Sequence, residues 1–146
     1  MDTSVTPGVE MAEQLAAAWA NIERSLSRSI SGVLGVSYSE YRILNALAAA
    51  PDHRASRVDL ADAVGLTPSG VTRALKPLEK IGMVDSVKHE RDARLTLATL
   101  TRSGARTVAN ANSVIAERCE TLLANAPTAR RQVEQLTSML AELASA

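Results

Sequence analysis

The stretch RVDLADAVGLTPSGVTRALKPLEKIGMV, residues 57–84, decides the fold. Ser56, just before it, is a good helix N-cap, and Leu60, Ala61 and Val64 face one way. Val64-Gly65-Leu66 interrupts this periodicity, and Thr67-Pro68 restarts it. Thr is a second N-cap, and Pro at the first helical position lacks an N–H that would have no partner there anyway. Two short helices joined by a tight turn containing Gly form a helix-turn-helix. The packing demands are specific. A small residue, Ala61, is needed where the helices cross, and Gly65 suits a turn position with positive φ. Leu60, Val64, Leu66, Val71 and Ala74 are expected to lock the pair together.

On a helical wheel the second helix divides cleanly. Val71, Ala74, Leu75, Leu78 and Ile81 fall on one side; Ser69, Thr72, Arg73, Lys76 and Lys80 fall on the other. No acid occurs among residues 66–78. The outer face is therefore hydroxyl and cation only, with small side chains near its start. Such a face can enter a major groove and reach base edges and phosphates. An ordinary solvated face is the alternative, but those usually mix in Glu or Asp. Pro77 removes the hydrogen bond to the carbonyl of Arg73, so a kink or an early end is expected there.

Beyond this unit, residues 83–88 and 95–100 read as strands, the second alternating Leu95, Leu97 and Thr99 with Thr96 and Ala98. His89-Glu90-Arg91-Asp92-Ala93 between them is polar and of hairpin length. A helix-turn-helix followed by a β-hairpin is a winged helix. Arg91 and Arg94 lie at or beside the hairpin tip, where a cation can reach a minor groove or a phosphate.

The flanks read as helices. Met11, Leu15, Ala18, Ile22 and Leu26 make one stripe over residues 8–32, with Gly32 and Gly35 as stop signals. Ser37 and Glu40 have capping-box spacing for a helix over residues 37–50, closed by Pro51. Thr101 is the N-cap candidate for a helix to about residue 125, with Val108, Ile115 and Cys119 inward. Pro127-Thr128 opens a last helix striped by Val133, Leu136, Leu140 and Leu143. The fold class is mainly α with a small β-hairpin wing: a winged helix-turn-helix between N- and C-terminal dimerisation helices. The expected division is 1–35, 36–100 and 101–146. The middle part has its own core, so the terminal stripes are expected to pack on each other and on a second copy.

Composition agrees with this and excludes other classes. The 146 residues include 25 Ala and 17 Leu but only Trp19, Tyr38 and Tyr41 as aromatics, which favours helix. Residues 1–10 show no basic flank or apolar run, and no apolar stretch is long enough to span a bilayer; a cytoplasmic protein without membrane contact is expected. One cysteine, Cys119, excludes an internal disulfide and a cysteine-based zinc cluster. His53 and His89 have no carboxylate at ligand spacing, so no metal or cofactor is expected. The net charge of zero conceals a division. Residues 54–106 carry ten basic and six acidic residues, residues 1–53 three and six, and residues 107–146 three and four. The excess positive charge sits on the helix-turn-helix and wing, where it can attract DNA although the whole is neutral.

The chain resembles the multiple antibiotic resistance regulator (MarR) family of winged-helix transcription regulators. The resemblance spans nearly the whole length and rests on the segment 57–84, the hairpin HERDARLTLATLT of residues 89–101, and Thr101-Arg102-Ser103-Gly104 opening a helix. Its most specific element is the Asp92-Ala93-Arg94 triplet in the wing. It implies a homodimer, pseudo-palindromic sites being the natural match of a two-fold protein, with recognition helices (residues 67–81) in major grooves and wings in minor grooves. By the same implication the chain is a sequence-specific DNA-binding regulator, a repressor, with double-stranded DNA as partner. Ser69, Thr72, Arg73 and Lys76, behind Thr67, read or position the major groove. Arg94, with Arg91 and His89 beside it, contacts the minor groove or backbone; Ser56 and Arg57 touch phosphate; Asp92 orients the wing through an ion pair. Many members hold a small-molecule effector, commonly a phenolic acid, that releases the DNA. Trp19, Tyr38, Tyr41 and Arg42 are the candidates to line such a pocket, with core packing plus a surface Arg as the alternative. Another branch senses oxidants through a cysteine near the N-terminus; Cys119 lies elsewhere and is expected to be inert core.

Two other classes make different demands on these residues. A winged helix that docks protein would more often expose an apolar anchor on the second helix, and none is seen in its sequence. An enzyme would need a nucleophile–base pair, a metal cluster or a phosphate loop, and none is evident.

Overall fold

A computed structural model describes residues 6–92 and 94–146 of the chain. Residues 1–5 and Ala93 lie outside the described residues, and with them part of the N-terminal segment and the middle of the Asp92-Ala93-Arg94 triplet. The chain runs α1 (Pro7–Leu34), α2 (Tyr38–Ala49), a 3-10 turn (Pro51–His53), β1 (Arg54–Ser56), α3 (Arg57–Val64), α4 (Pro68–Lys80), β2 (Val84–Lys88), β3 (Thr96–Leu100), α5 (Arg102–Ala124), α6 (Pro127–Arg131) and α7 (Val133–Ser145).

The caps set these boundaries. Ser37 accepts from the Glu40 N–H while the Glu40 carboxylate accepts from the Ser37 N–H, a complete capping box. Ser56 accepts from Asp59, Thr67 from Gly70 and Thr101 from Gly104, each at 3.0–3.1 Å. Gly65, at φ 67°, ends α3 in the left-handed conformation that glycine adopts without a Cβ penalty.

One core fills the middle of the chain. Ile43, Leu44 and Leu47 of α2 meet Leu60, Ala61 and Val64 of α3, Val71, Leu75 and Leu78 of α4, and Val84, Ala98 and Leu100 of the sheet. Each fully buried aliphatic side chain contributes about 1.5–3 kcal/mol relative to exposure. A second cluster of Ile30, Tyr41 and Ala111 ties α1, α2 and α5 together. The seam between β2 and α5 is tight. The Thr101 hydroxyl donates to Gly82 O (2.7 Å) and the Thr101 N–H to Met83 O (3.1 Å). A Cβ on Gly104 would collide with the Met83 carbonyl and stand 2.6 Å from Leu100 Cδ1, so this buried position has no room for a side chain.

The structure departs from the sequence expectations at four points. The wing is part of a three-stranded antiparallel sheet of order β1-β3-β2, with Arg54 opposite Thr99 and Val84 opposite Leu100. β1 has only three residues, too short for an alternation to show. Pro77 neither ends nor shortens α4, which continues to Lys80; the proline stands in the last turn, where few hydrogen bonds remain to be lost. Leu66 and Ile81 are exposed rather than locked in the core, because each sits at a helix boundary where the wheel no longer applies. The last helix is split into α6 and α7 at Gln132.

The terminal stripes remain open to solvent: Met11, Leu15 and Trp19 of α1, and Leu136, Met139, Leu140 and Leu143 of α7, are all exposed. Among the described residues no helix is long and apolar enough to cross a membrane, and no group of three or more His, Cys, Asp or Glu is placed to hold a metal ion.

Candidate nucleic-acid interface

Helix α4 is held by its inner face. Val71, Leu75 and Leu78 are buried, so the side chains opposite them are presented outward on a rigid base. Ser69, Arg73 and Lys76 are exposed there, and Thr72 is half-buried. Two of the hydroxyls have local duties. Thr67 accepts from the Gly70 N–H at 3.0 Å, and Thr72 donates to Pro68 O at 3.0 Å. The side chains of Arg73 and Lys76 make no ion pair among the described residues, where the one salt bridge joins Arg130 to Glu120 on α6 and α5. Chemically, among the described residues α4 offers three cations without an ion pair, Arg73, Lys76 and Lys80, a hydroxyl at Ser69 with no hydrogen bond, and no acid in its first turn.

The wing is shaped by its own backbone donors. His89 N–H donates to Leu95 O and Leu95 N–H to Asp92 O, at 2.9 and 3.0 Å. His89 Nδ1 accepts from the Arg91 and Asp92 N–H groups at 3.1 and 3.2 Å, which fixes the ring proton on Nε2. Asp92 Oδ1 accepts from the Arg94 N–H at 3.0 Å. This replaces the expected ion pair: among the described residues Asp92 meets the Arg94 backbone rather than its guanidinium, and orders the turn as an Asx bond does. The Arg91 and Arg94 side chains are thereby left exposed.

Ser56, Arg57, His89 and Arg94 converge on one cleft of about 550 Å³ between the start of α3 and the wing. The α4 residues lie outside it, so the expected site residues form two surfaces, one on α4 and one around the wing base. Of the wing-base group, Ser56 is spent on capping α3 and His89 on clasping the turn, which leaves Arg57 and Arg94 as cations. Arg54 was not singled out by the sequence. It lines the neighbouring cleft with Asp52, His89 and Arg91, and its Nε, like that of Arg57, is buried without a partner among the described residues. Its only signal was position just before the Ser56 cap.

The aromatic candidates form a second, separate site. Trp19 stacks obliquely on Tyr38 at 5.8 Å between ring centroids, and Tyr38 on Tyr41 at 5.7 Å. Tyr38, Tyr41 and Arg42 line a cleft of about 390 Å³ whose other wall is Ala46, Ala49, Ala63 and Val64; Trp19 stands behind Tyr38 and not in the lining. Tyr41 Oη donates to Asn112 Oδ1 at 2.6 Å, and Arg42 Nη1 donates to Val64 O at 2.8 Å. Burial pushes the Tyr38 phenol above its usual range, with the Arg42 charge opposing; burial also raises Tyr41, with Tyr38 adding to it. Cys119 is half-buried on α5.

The MarR family model matches residues 34–95. The whole chain is similar in structure to the transcriptional regulator BldR of Sulfolobus solfataricus, with a TM-score of 0.81, 21% identity, and 95% of this chain and 98% of that one covered. It is similar to Sco3205 of Streptomyces coelicolor, described as a MarR-family regulator in complex with DNA, with a TM-score of 0.78, 22% identity, and coverage of 94% and 88%. It is also similar to the PcaV regulator of Streptomyces coelicolor, described in complex with its natural ligand, with a TM-score of 0.74, 25% identity, and coverage of 100% and 96%. No curated protein matches the chain.

Proposed function

We propose that this chain, a winged-helix protein of the MarR family, is a sequence-specific DNA-binding repressor that meets its operator as a homodimer in the cytoplasm. The observation that carries the reading is the outer face of α4: Ser69, Thr72, Arg73 and Lys76 stand on a fully packed inner face, with no acid among residues 66–78. Arg73 and Lys76 take phosphate or a guanine edge in the major groove, and Ser69 and Thr72 allow close approach. Arg94 and Arg91 serve the minor groove or backbone, Arg57 takes phosphate, and Thr67, Ser56, His89 and Asp92 hold these groups in place. Residues 1–35 and 101–146 supply the dimer contact, which would cover the exposed stripes of α1 and α7. Two-fold symmetry then calls for a pseudo-palindromic operator with half-sites about 10 bp apart.

An effector belongs at Tyr38, Tyr41 and Arg42. The cleft pairs aromatic faces with a guanidinium, which suits a small phenolic acid. Arg42 also holds the carbonyl of Val64, the last residue of α3, just before the turn into α4. A carboxylate that draws Arg42 away would loosen that turn and release the DNA.

Titration of the full chain against duplexes from the region flanking its own gene, from low to high salt, tests the reading. Affinity is expected to fall linearly with salt on logarithmic axes. Arg94→Ala is expected to weaken every duplex and reduce the salt slope by about one; Arg73→Ala is expected to weaken binding and relax sequence preference. Absence of binding at any salt overturns the proposal, and unchanged binding in both variants overturns the residue assignment.

A further inference from the structure

We infer that the cleft between α1 and α5 lined by Arg24, Arg28 and Arg118 binds a phosphate-bearing small molecule. The cleft measures about 320 Å³ and is completed by Asn21, Ser25 and Ser29, so three guanidinium groups, two hydroxyls and an amide line it without a carboxylate. The stepping 21, 24, 25, 28, 29 puts the α1 residues on one continuous face, and α5 contributes Arg118 from across the groove.

None of the three arginines has an ion-pair partner among the described residues. The sequence explains why. Arg24 has Ala20, Asn21, Ser27 and Arg28 at the three- and four-residue spacings, and Arg28 has Arg24, Ser25, Ser31 and Gly32. Arg118 has Val114, Ile115, Thr121 and Leu122. An exposed helix usually sets an acid at one of these spacings; here the neighbour of Arg24 is another cation, which destabilises the free helix. Glu23, next in sequence to Arg24, lies instead toward Tyr38 and opposes its ionisation. The excess positive charge is therefore local, in a segment whose overall balance is acidic.

One arginine is also pre-positioned. Arg118 Nε donates to Ser25 Oγ at 2.5 Å, which fixes the guanidinium and leaves its terminal nitrogens and the Ser25 hydroxyl proton to donate. Ser29 is spent on the Ser25 carbonyl at 3.0 Å. A ligand here must accept from several planar forks at once and carry at least two negative charges to balance three cations. A phosphate group does both, whereas a single carboxylate offers only two oxygens and one charge. The cleft lies on the α1–α5 pair and not on α4 or the wing, so the inference stands or falls separately from duplex binding.

Calorimetric titration of the full chain with orthophosphate, pyrophosphate and adenosine diphosphate, at ionic strength held constant with chloride, reads the site. Saturable binding of pyrophosphate, one per chain, is expected, with at least about a tenfold loss in Arg28→Gln and in Arg118→Gln. Adenosine diphosphate binding more tightly than orthophosphate assigns a phosphorylated organic molecule; the reverse order assigns free phosphate. Arg118→Lys, which keeps the charge but not the fork, is expected to retain partial binding and serves if the glutamine variant does not fold. No binding of any of the three anions, or equal binding by wild type and variants, overturns the proposal. It falls also if the variants shift self-association tenfold while anion binding is unaltered, since the arginines would then face a second copy. Loss of duplex affinity with no change in anion binding assigns the cluster to DNA and overturns it likewise.

Discussion

The middle of the molecule and its two ends use the same residue types to opposite effect. Leu44, Leu60, Leu75 and Leu78 are at most 1% exposed, while Leu15, Leu136, Leu140 and Leu143 are 37–49% exposed. Both sets lie on amphipathic helices at helical spacing. The difference is what stands opposite. In the winged-helix lobe each stripe faces another element of the same chain, so α2, α3, α4 and the sheet close a core among themselves. Among the described residues, the stripes on the first half of α1 and on α7 are left largely uncovered. A periodic stripe therefore reports that a surface is meant to be covered, and only the fold shows whether the cover is internal.

The largest effect should come from the closed region. Leu75→Ala removes a side chain at the centre of the lobe, touching the packing of α4 on everything beneath it. A loss of about 2–5 kcal/mol is expected. That is a large part of the total for a domain this size. Denaturant unfolding should show the loss at every protein concentration, because the contact is intramolecular. A difference between variant and wild type that changed with protein concentration would mean that the lobe does not hold its own core.

The open region should respond differently. Leu140→Glu puts a charge in the α7 stripe, and about 1.5–3 kcal/mol of association is expected to be lost per chain. The wild type is expected to sediment as a dimer and this variant as a monomer, with far-UV circular dichroism nearly unchanged. Unaltered self-association in this variant would remove α7 from the dimer contact.

Legibility in the sequence followed the same division. The lobe was readable because its signals are local and mutually consistent: Ser56 and Thr67 as caps, Gly65 at the turn, and Val71, Leu75 and Leu78 on one face of α4. Failures lie where a non-local partner decides. β1 is three residues long and exists because Arg54–Ser56 pairs with β3. The resemblance implies an ion pair for Asp92, but turn geometry brings it a backbone N–H first. Periodicity carried past the helix ends points Leu66 and Ile81 inward, yet both are exposed. The grouping of Arg24 and Arg28 with Arg118 was not legible at all, since the pairing joins positions about ninety residues apart and only the α1–α5 packing brings them together. Segment charge counts pointed the other way, because they average one basic face with the acids around it.

The smallest effect tests the joint between the two regions. Thr101 closes the wing strand β3 and opens α5, the helix that leads from the lobe toward the open end. Its hydroxyl accepts from the Gly104 N–H and donates to Gly82 O, so one oxygen both caps α5 and ties it to the turn before β2. Thr101→Ala loses both bonds and leaves a helix N–H without its partner; a cost of about 0.5–2 kcal/mol is expected. Thr101→Ser keeps the hydroxyl and should stay within about 0.5 kcal/mol of wild type. The contrast between the two isolates the hydroxyl from the methyl group. If the loss in Thr101→Ala appears in unfolding of the lobe and leaves self-association unchanged, the joint belongs to the closed region. If both variants unfold alike, the hydroxyl is not what holds α5 to the lobe, and the backbone bond to Met83 O, the tight fit of Gly104 and the buried Val108 and Ala111 must hold it without the hydroxyl.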